Sequence, residues 1–376
     1  MDAAFAAEPI YEALCRAGHE VWSIGNRASD VLAAKAGSRW LKQDYSDVHA
    51  VREHLNRLQI DRVVPGCTDV SLETCVKLGA PWFLGDSFEV NAMLSDKASF
   101  RRLCAELNLP SPQVVDVNSF PRAGRFICKP VDAFSGRGIS VFDGTDGAGL
   151  QAATALGAAG SRSRKYVIET FCEGPLFSCS AFVIRGKICQ AFYVREGSSA
   201  NPYAVDTSYV DSGFPDDVRM LLQESLQKMV SHLGLKDGLL HTQFILNEGK
   251  PYIVELTRRC PGDLYSLLIE FSTASPYAAQ YAACFLGEAM PAGASLLQSR
   301  QVLRHTVTAD SGGIYNGIRF KQPEPTKAFF SLLPVGALLL PQQGNRAGVL
   351  FTEYVSHNEM KDAFNRFMGR TAYAVV

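Results

Sequence analysis

The chain of 376 residues is long enough for two or three domains, each with its own core. A net charge of −1 with 20% charged residues argues against an electrostatic nucleic-acid binder. The N-terminus lacks a basic n-region, and the late apolar stretch Leu332–Leu340 is interrupted by Pro334 and too short to span a bilayer, so neither a signal peptide nor a membrane anchor is expected. The ten cysteines are scattered with no Cys-x-x-Cys pair, which fits reduced thiols in a cytoplasmic protein better than a zinc site.

In chain order, Glu8–Ala17 has helical apolar spacing and ends at Gly18, and His19–Gly25 reads as a turn and a strand. Val48–Leu58 is a second amphipathic helix, followed by a buried strand Arg62–Pro65 and the loop Gly66-Cys-Thr-Asp69. Leu72–Leu78 reads as helix and Trp82–Gly85 as strand. This alternation predicts an open, doubly wound sheet. Such domains open on an apolar strand, and here the chain starts almost at the first helix. The sheet is therefore expected to lack that strand, or to be completed by an upstream extension or another subunit.

From Ser95-Asp-Lys97, which caps a helix through Leu107, the pattern changes. Two short apolar strands, Phe126–Lys129 and Ile139–Phe142, flank a loop containing Gly136 and Gly138. Backbone N–H groups in such a loop, with Lys129 and Arg137 beside them, suit a polyphosphate; a basic hairpin turn has the same local sequence. A small-residue helix around 148–158 precedes the strand and polar turn Lys165–Gly174. Phe177–Ile184 and Lys187–Tyr193 then form a hairpin over Arg185-Gly186. After the amphipathic helix Val218–Leu233 come strands Thr242–Leu246 and Tyr252–Leu256, joined by the five residues Asn247–Pro251. If Leu246 pairs with Tyr252, Gln243 faces Glu255; a one-residue slip would separate them. Pro276–Phe285 is helical, and the chain from Val302 is strand-rich with a closing helix at Glu359–Phe367.

Asp96-Lys97, Lys129-Pro130 with Ser135-Gly-Arg-Gly138, Ile168-Glu169 through Glu173-Gly174, and Glu255-Leu-Thr-Arg-Arg259 carry a resemblance. Their order and approximate spacing are similar to those of the ATP-grasp carboxylate–amine ligases, over about residues 86 to 290. The resemblance implies α/β and α+β architecture. A doubly wound N-terminal domain (1–88) would precede an ATP-grasp core (89–295, small lobe about 125–190) and a small β-rich C-terminal domain (296–376).

It also implies roles. Lys97 and Lys129 would hold ATP phosphates, and Ser135, Gly136, Arg137 and Gly138 would form the lid over them. Glu169, Thr170, Phe171 and Cys172 would form the hinge whose backbone meets adenine. Glu173 would reach the ribose, with Leu176 standing where many relatives carry a carboxylate. Gln243, Glu255 and Thr257 would be the metal ligands, for Mg2+ with Mn2+ as an alternative, although only Glu255 is charged. Arg259 and Lys129 would be catalytic. Arg258 would point away, because strand neighbours alternate. Arg195, Glu196 and His241 read more naturally as structural residues. Gln243→Glu would be tolerated or would tighten the metal.

The activity so implied is ATP-dependent ligation of a small-molecule or amino-acid carboxylate to an amine through an acyl phosphate. It needs no nucleic acid or membrane and is compatible with a homodimer. Two alternatives stand beside it: a degenerate, non-catalytic nucleotide binder, and an ATP-grasp enzyme with a non-amine acceptor.

Overall fold

The computed structural model describes residues 2–133, 136–293, 300–341 and 345–376. The first segment contains helix α1 (Glu8–Arg16), strand β1 (Ser23–Gly25), helix α2 (Val31–Ala36), strand β2 (Trp40–Lys42) and helices α3 (Val48–Arg57) and α4 (Asp69–Leu78). Asp47 and Thr68 cap α3 and α4 by accepting from Ala50 N and Ser71 N. β1 and β2 pair in parallel, Ser23 opposite Trp40. The expected strands Arg62–Pro65 and Trp82–Gly85 form no regular ladder. They share one backbone bond, Val63 N to Trp82 O at 2.9 Å, and Pro65 and Pro81 have no N–H to extend it. Residues 2–4 are extended or bent and Phe5–Ala7 is a 3₁₀ turn, so residues 2–7 hold no strand. A cavity of about 610 Å3 lies between residues 20–24 and 60–66, under α1 and above α3. That is where a doubly wound sheet has its central strand.

Helices α5 (Phe88–Ser95) and α6 (Lys97–Glu106) lead to the small lobe: strands β3 (Arg125–Pro130) and β4 (Ser140–Asp143), helix α7 (Gly147–Gly160) and strand β5 (Tyr166–Thr170). Its antiparallel order is β4-β3-β5, and α7 packs on it through Ala153 and Gly157, residues small enough to let helix and sheet approach. A Cβ on Gly157 would stand 2.9 Å from Cys128 Sγ.

The remainder is built on one antiparallel sheet. In chain order come β6 (Leu176–Ile184), β7 (Lys187–Gly197), β8 (Thr207–Val210), α8 (Asp216–Leu233), β9 (Gly238–Asn247), β10 (Lys250–Thr257), α9 (Tyr265–Thr273) and α10 (Tyr277–Leu286). They are followed by β11 (Gln301–Val307), β12 (Gly313–Ile314), β13 (Ile318–Phe320), β14 (Thr326–Ser331), β15 (Leu338–Leu339), β16 (Gly348–Tyr354), α11 (His357–Met368) and β17 (Tyr373–Val375). Among the described residues eight strands join in the order β10-β9-β6-β7-β8-β11-β16-β14, while β12 with β15 and β13 with β17 form two small pairs.

This sheet takes in two segments that the sequence assigns elsewhere or leaves open. The hairpin 177–193, placed in a small lobe reaching about 190, belongs to the large sheet because β6 pairs with β9 along its length. The β-rich segment after 296 continues this sheet, since β11 pairs with β8 and carries β16 and β14 with it. One sheet face packs Phe177, Cys179 and Phe244 against α8. The opposite face turns Phe182, Phe192 and Val194 toward α9, α10 and the first segment. Toward the β9–β10 edge that second face becomes polar.

Candidate functional site

Lys129 lies in the buried stretch of β3, one residue before its end, and its Nζ lies 2.7 Å from Glu169 Oε2 on β5. Arg101, from α6, brings Nε to 2.8 Å of Glu169 Oε1 and donates to Val254 O at 2.7 Å. Glu169 is wholly buried. Burial pushes its pKa up, but Lys129 and Arg101 outweigh burial and leave it below the ordinary carboxylate range. The triad ties α6, the small lobe and β10 together. The Glu169 side chain is thus a buried counter-ion, a role the sequence reading did not give it.

Lys97 is the first residue of α6, whose N-cap Asp96 accepts from Ser99 N at 2.8 Å. Its Nζ sits 3.3 Å from Val131 O and 3.4 Å from Ala133 O, the carbonyls leading into the glycine loop. Burial pushes the Lys97 pKa down; Glu255 opposes that and Lys129 adds to it. Two lysines and Glu255 therefore share one electrostatic neighbourhood. Gly136 and Gly138 have φ of +71° and +73°. A Cβ on Gly136 would stand 2.7 Å from Tyr203 Cβ, and one on Gly138 2.8 Å from Pro130 Cγ, so both positions need glycine for conformation and for space. Arg137 is exposed between them, and Ser135 lies outside the described residues.

At the hinge, Thr170 N–H donates to Gln113 O at 2.9 Å and Phe171 N–H to Arg125 O at 3.0 Å. Among the described residues the Phe171 carbonyl and the Cys172 N–H have no backbone partner; they belong to one trans peptide and point to opposite sides of the chain. Arg125 lies 4.4 Å from the centre of the Phe171 ring and pairs with Glu173, both side chains being more than half exposed. Such a pair exchanges readily for another ligand.

The β9–β10 hairpin reaches the expected register by a different route. Its turn is the two residues Glu248-Gly249, with φ of +47° and +76°, and Leu246 pairs with Pro251 rather than Tyr252. Unbroken, that register would set Val254 opposite Gln243. A bulge between Ile253 and Glu255 restores Glu255 as the partner of Gln243. Thr257, two residues on, shares their face. Glu255 is exposed, and Gln243 and Thr257 are half-buried.

Glu196 reaches this face from β7. Its Oε2 accepts from Gln243 Nε2 at 3.0 Å. Burial pushes the Glu196 pKa up to about 6, with the Glu255 charge adding and Ser178 and Arg304 opposing. Ser178 is also bonded to the Tyr265 hydroxyl at 2.9 Å. Among the described residues no three His, Cys, Asp or Glu side chains converge as a metal cage. The donors present are hard oxygens with one exposed carboxylate beside two lysines. That set fits a Mg2+ ion brought in by a polyphosphate that supplies the remaining oxygens, and it does not fit a protein-only site.

Arg259 makes a fork with Asp69, the first residue of α4: Nε to Oδ1 at 2.7 Å and a terminal nitrogen to Oδ2 at 3.0 Å. Burial opposes its charge, but Asp69 outweighs burial and holds the guanidinium pKa above its ordinary value. Arg258 points the other way, with Nε 2.6 Å from Asp86 Oδ2 and Nη1 2.7 Å from Leu239 O. His241 is buried against Ser180 Oγ at 2.8 Å and its pKa is pushed down to about 3 by burial and Arg259, so it is a neutral core histidine. Arg195 bonds Leu176 O at 2.6 Å and lies over Phe177, a structural role. Asp69, Arg101 and Arg304 were not singled out from sequence. Arg304 donates to Asp263 O at 3.0 Å and Ser208 Oγ at 2.8 Å. The one local signal was Asp69, an acid in the first turn of a helix after the capping residue Thr68.

No protein-family model matches the chain, and no curated protein does. Solved structures do. A phosphoribosylglycinamide synthetase from Anaerococcus prevotii is 16% identical with a TM-score of 0.78, over 100% of this chain and 98% of that one. An L-amino acid ligase from Bacillus licheniformis is 19% identical with a TM-score of 0.76, over 98% and 95%. An N5-carboxyaminoimidazole synthetase from Staphylococcus aureus, solved with ADP, is 10% identical with a TM-score of 0.74, over 97% and 95%. The chain has the ATP-grasp fold along its whole length.

Proposed function

We propose that the protein is an ATP-dependent ligase that joins a carboxylate to an amine through an acyl phosphate, releasing ADP and phosphate. The observation that carries this reading is the convergence of Lys97 and Lys129 with Glu255, next to an Arg259 fork already shaped around a carboxylate. The synthetases and the amino acid ligase sharing the fold support it.

In this reading one carboxylate oxygen of the substrate attacks the γ-phosphorus, and the bond from that phosphorus to the β–γ bridging oxygen breaks. ADP carries away the bridging oxygen. The amine then attacks the acyl carbon, phosphate leaves with the transferred oxygen, and the amine gives up a proton to solvent. Lys129 has donors beyond the one on Glu169 and, with Lys97, holds phosphate oxygens. Gln243, Glu255 and Thr257 would hold Mg2+, which neutralises phosphate charge when bound. Arg259 offers its planar fork to the substrate carboxylate, the geometry Asp69 occupies here. Gly136, Arg137 and Gly138 cover the phosphates, and the backbone of the Glu169–Cys172 hinge reads adenine. Catalysis is then positioning and electrostatics, with no protein nucleophile.

A screen of amino-acid and small-acid pools for nucleotide-dependent product release tests this reading. ADP and phosphate should appear with ATP, and the corresponding products from GTP should be lower by about 10- to 100-fold. Guanine presents the reversed donor and acceptor pattern to the hinge, and an unmatched buried group costs roughly 1–3 kcal/mol. Tight ATP binding without release under any pool would favour the non-catalytic binder. Equal use of ATP and GTP would remove the hinge assignment.

A further inference from the structure

Resting on the ligase reading, we propose that Glu196 is a positioning residue: it fixes the amide of Gln243 so that the oxygen, not the nitrogen, faces the Glu255 side of the cleft. Glu196 is 3% exposed and forms no ion pair among the described residues. Arg304, the cation whose charge favours the ionised form, is already engaged with Asp263 and Ser208. A buried carboxylate without an ion pair is costly, so packing alone does not explain it. Its side-chain partners are the Ser178 hydroxyl and Gln243, the latter at 3.0 Å. A carboxylate only accepts, whereas an amide offers a donor on one side and an acceptor on the other. The bond therefore selects one orientation, with Nε2 toward Glu196 and Oε1 turned away from it.

Gln243 stands opposite Glu255 in the ladder. With its amide so held, the face offers a cation the Glu255 carboxylate and the Gln243 oxygen. The second negative charge of the site is then set back by one hydrogen bond, onto β7. The sequence reading that Gln243→Glu would be tolerated or beneficial is reversed by this arrangement. That substitution sets a second carboxylate at hydrogen-bonding distance from the buried Glu196, and like charges repel. Exchanging both residues instead restores one donor and one acceptor.

The test is Mn2+ titration, followed by electron paramagnetic resonance, of the whole chain with a non-hydrolysable ATP analogue. Glu196→Gln and Gln243→Glu should each weaken Mn2+ about 10-fold or more, the scale of lost support behind a metal ligand. The double variant Glu196→Gln/Gln243→Glu should return to near the parent affinity. Melting temperatures measured alongside separate a packing role from a positioning one. If Glu196→Gln lowers the melting temperature but binds Mn2+ like the parent, the proposal is wrong. It is equally wrong if Gln243→Glu alone binds more tightly, or if the double variant stays as weak as the singles. A parent chain that binds the nucleotide analogue with no Mn2+ overturns the ligase reading itself, and this inference with it.

Discussion

Glu255→Gln should reduce ATP-dependent turnover by about 100-fold or more and leave the fold intact. Glu255 is exposed on the cleft side of β10 and carries the one formal charge among Gln243, Glu255 and Thr257. Gln keeps its size and one oxygen, so packing is undisturbed and stability should move by no more than about 0.5 kcal/mol. What disappears is the anion that anchors a phosphate-bound cation and offsets Lys97 and Lys129. One charge-assisted contact is worth about 1.5–3 kcal/mol, and the upper end of that range is roughly a 100-fold change in rate. Single-turnover ADP release with matched melting curves measures both sides of this expectation. Parent-like turnover in Glu255→Gln would show that the cation is held elsewhere.

Arg259→Ala should separate binding from chemistry. Its guanidinium contacts Asp69 and the Cys260 carbonyl, and its proposed partner is the acceptor carboxylate, so ATP affinity should stay within a few-fold of the parent. Phosphoryl transfer should fall by about 100-fold or more, because the fork both aligns the carboxylate and offsets charge on the transferring group. Arg259→Lys should not restore the rate, since a single ammonium cannot make two parallel bonds. Asp69, losing its partner, stays at a helix N-terminus with its side chain partly exposed, so the loss of stability should be modest. Calorimetry for ATP beside rapid-quench turnover separates the two effects. Lost ATP binding in Arg259→Ala would place the arginine on the nucleotide instead.

The parts of this site that could be read in the sequence are those carried by local chemistry. Lys97 follows a capping residue, Lys129 ends an apolar strand beside a glycine loop, and Glu255 precedes an arginine pair on a hairpin. Each signal lies within a few residues. The contacts that complete the site do not. Asp69 meets Arg259 across 190 residues, and Glu196 meets Gln243 across 47 through a sheet whose strand order is not its chain order. The bulge before Glu255 shows the same limit on a smaller scale, because a two-residue turn and an extra residue give the register that a five-residue loop would also have given. Likewise, nothing in the apolar pattern after residue 296 distinguishes a separate sheet from strands that extend the central one. Only the pairing of β11 with β8 decides it.

Isotope transfer from the substrate carboxylate bears on the proposed chemistry without depending on any residue assignment. With a pool of acids labelled with 18O in the carboxylate, plus amines and ATP, one label should pass to the inorganic phosphate released with ADP. Unlabelled phosphate, or AMP and pyrophosphate in place of ADP and phosphate, would mean that no acyl phosphate forms.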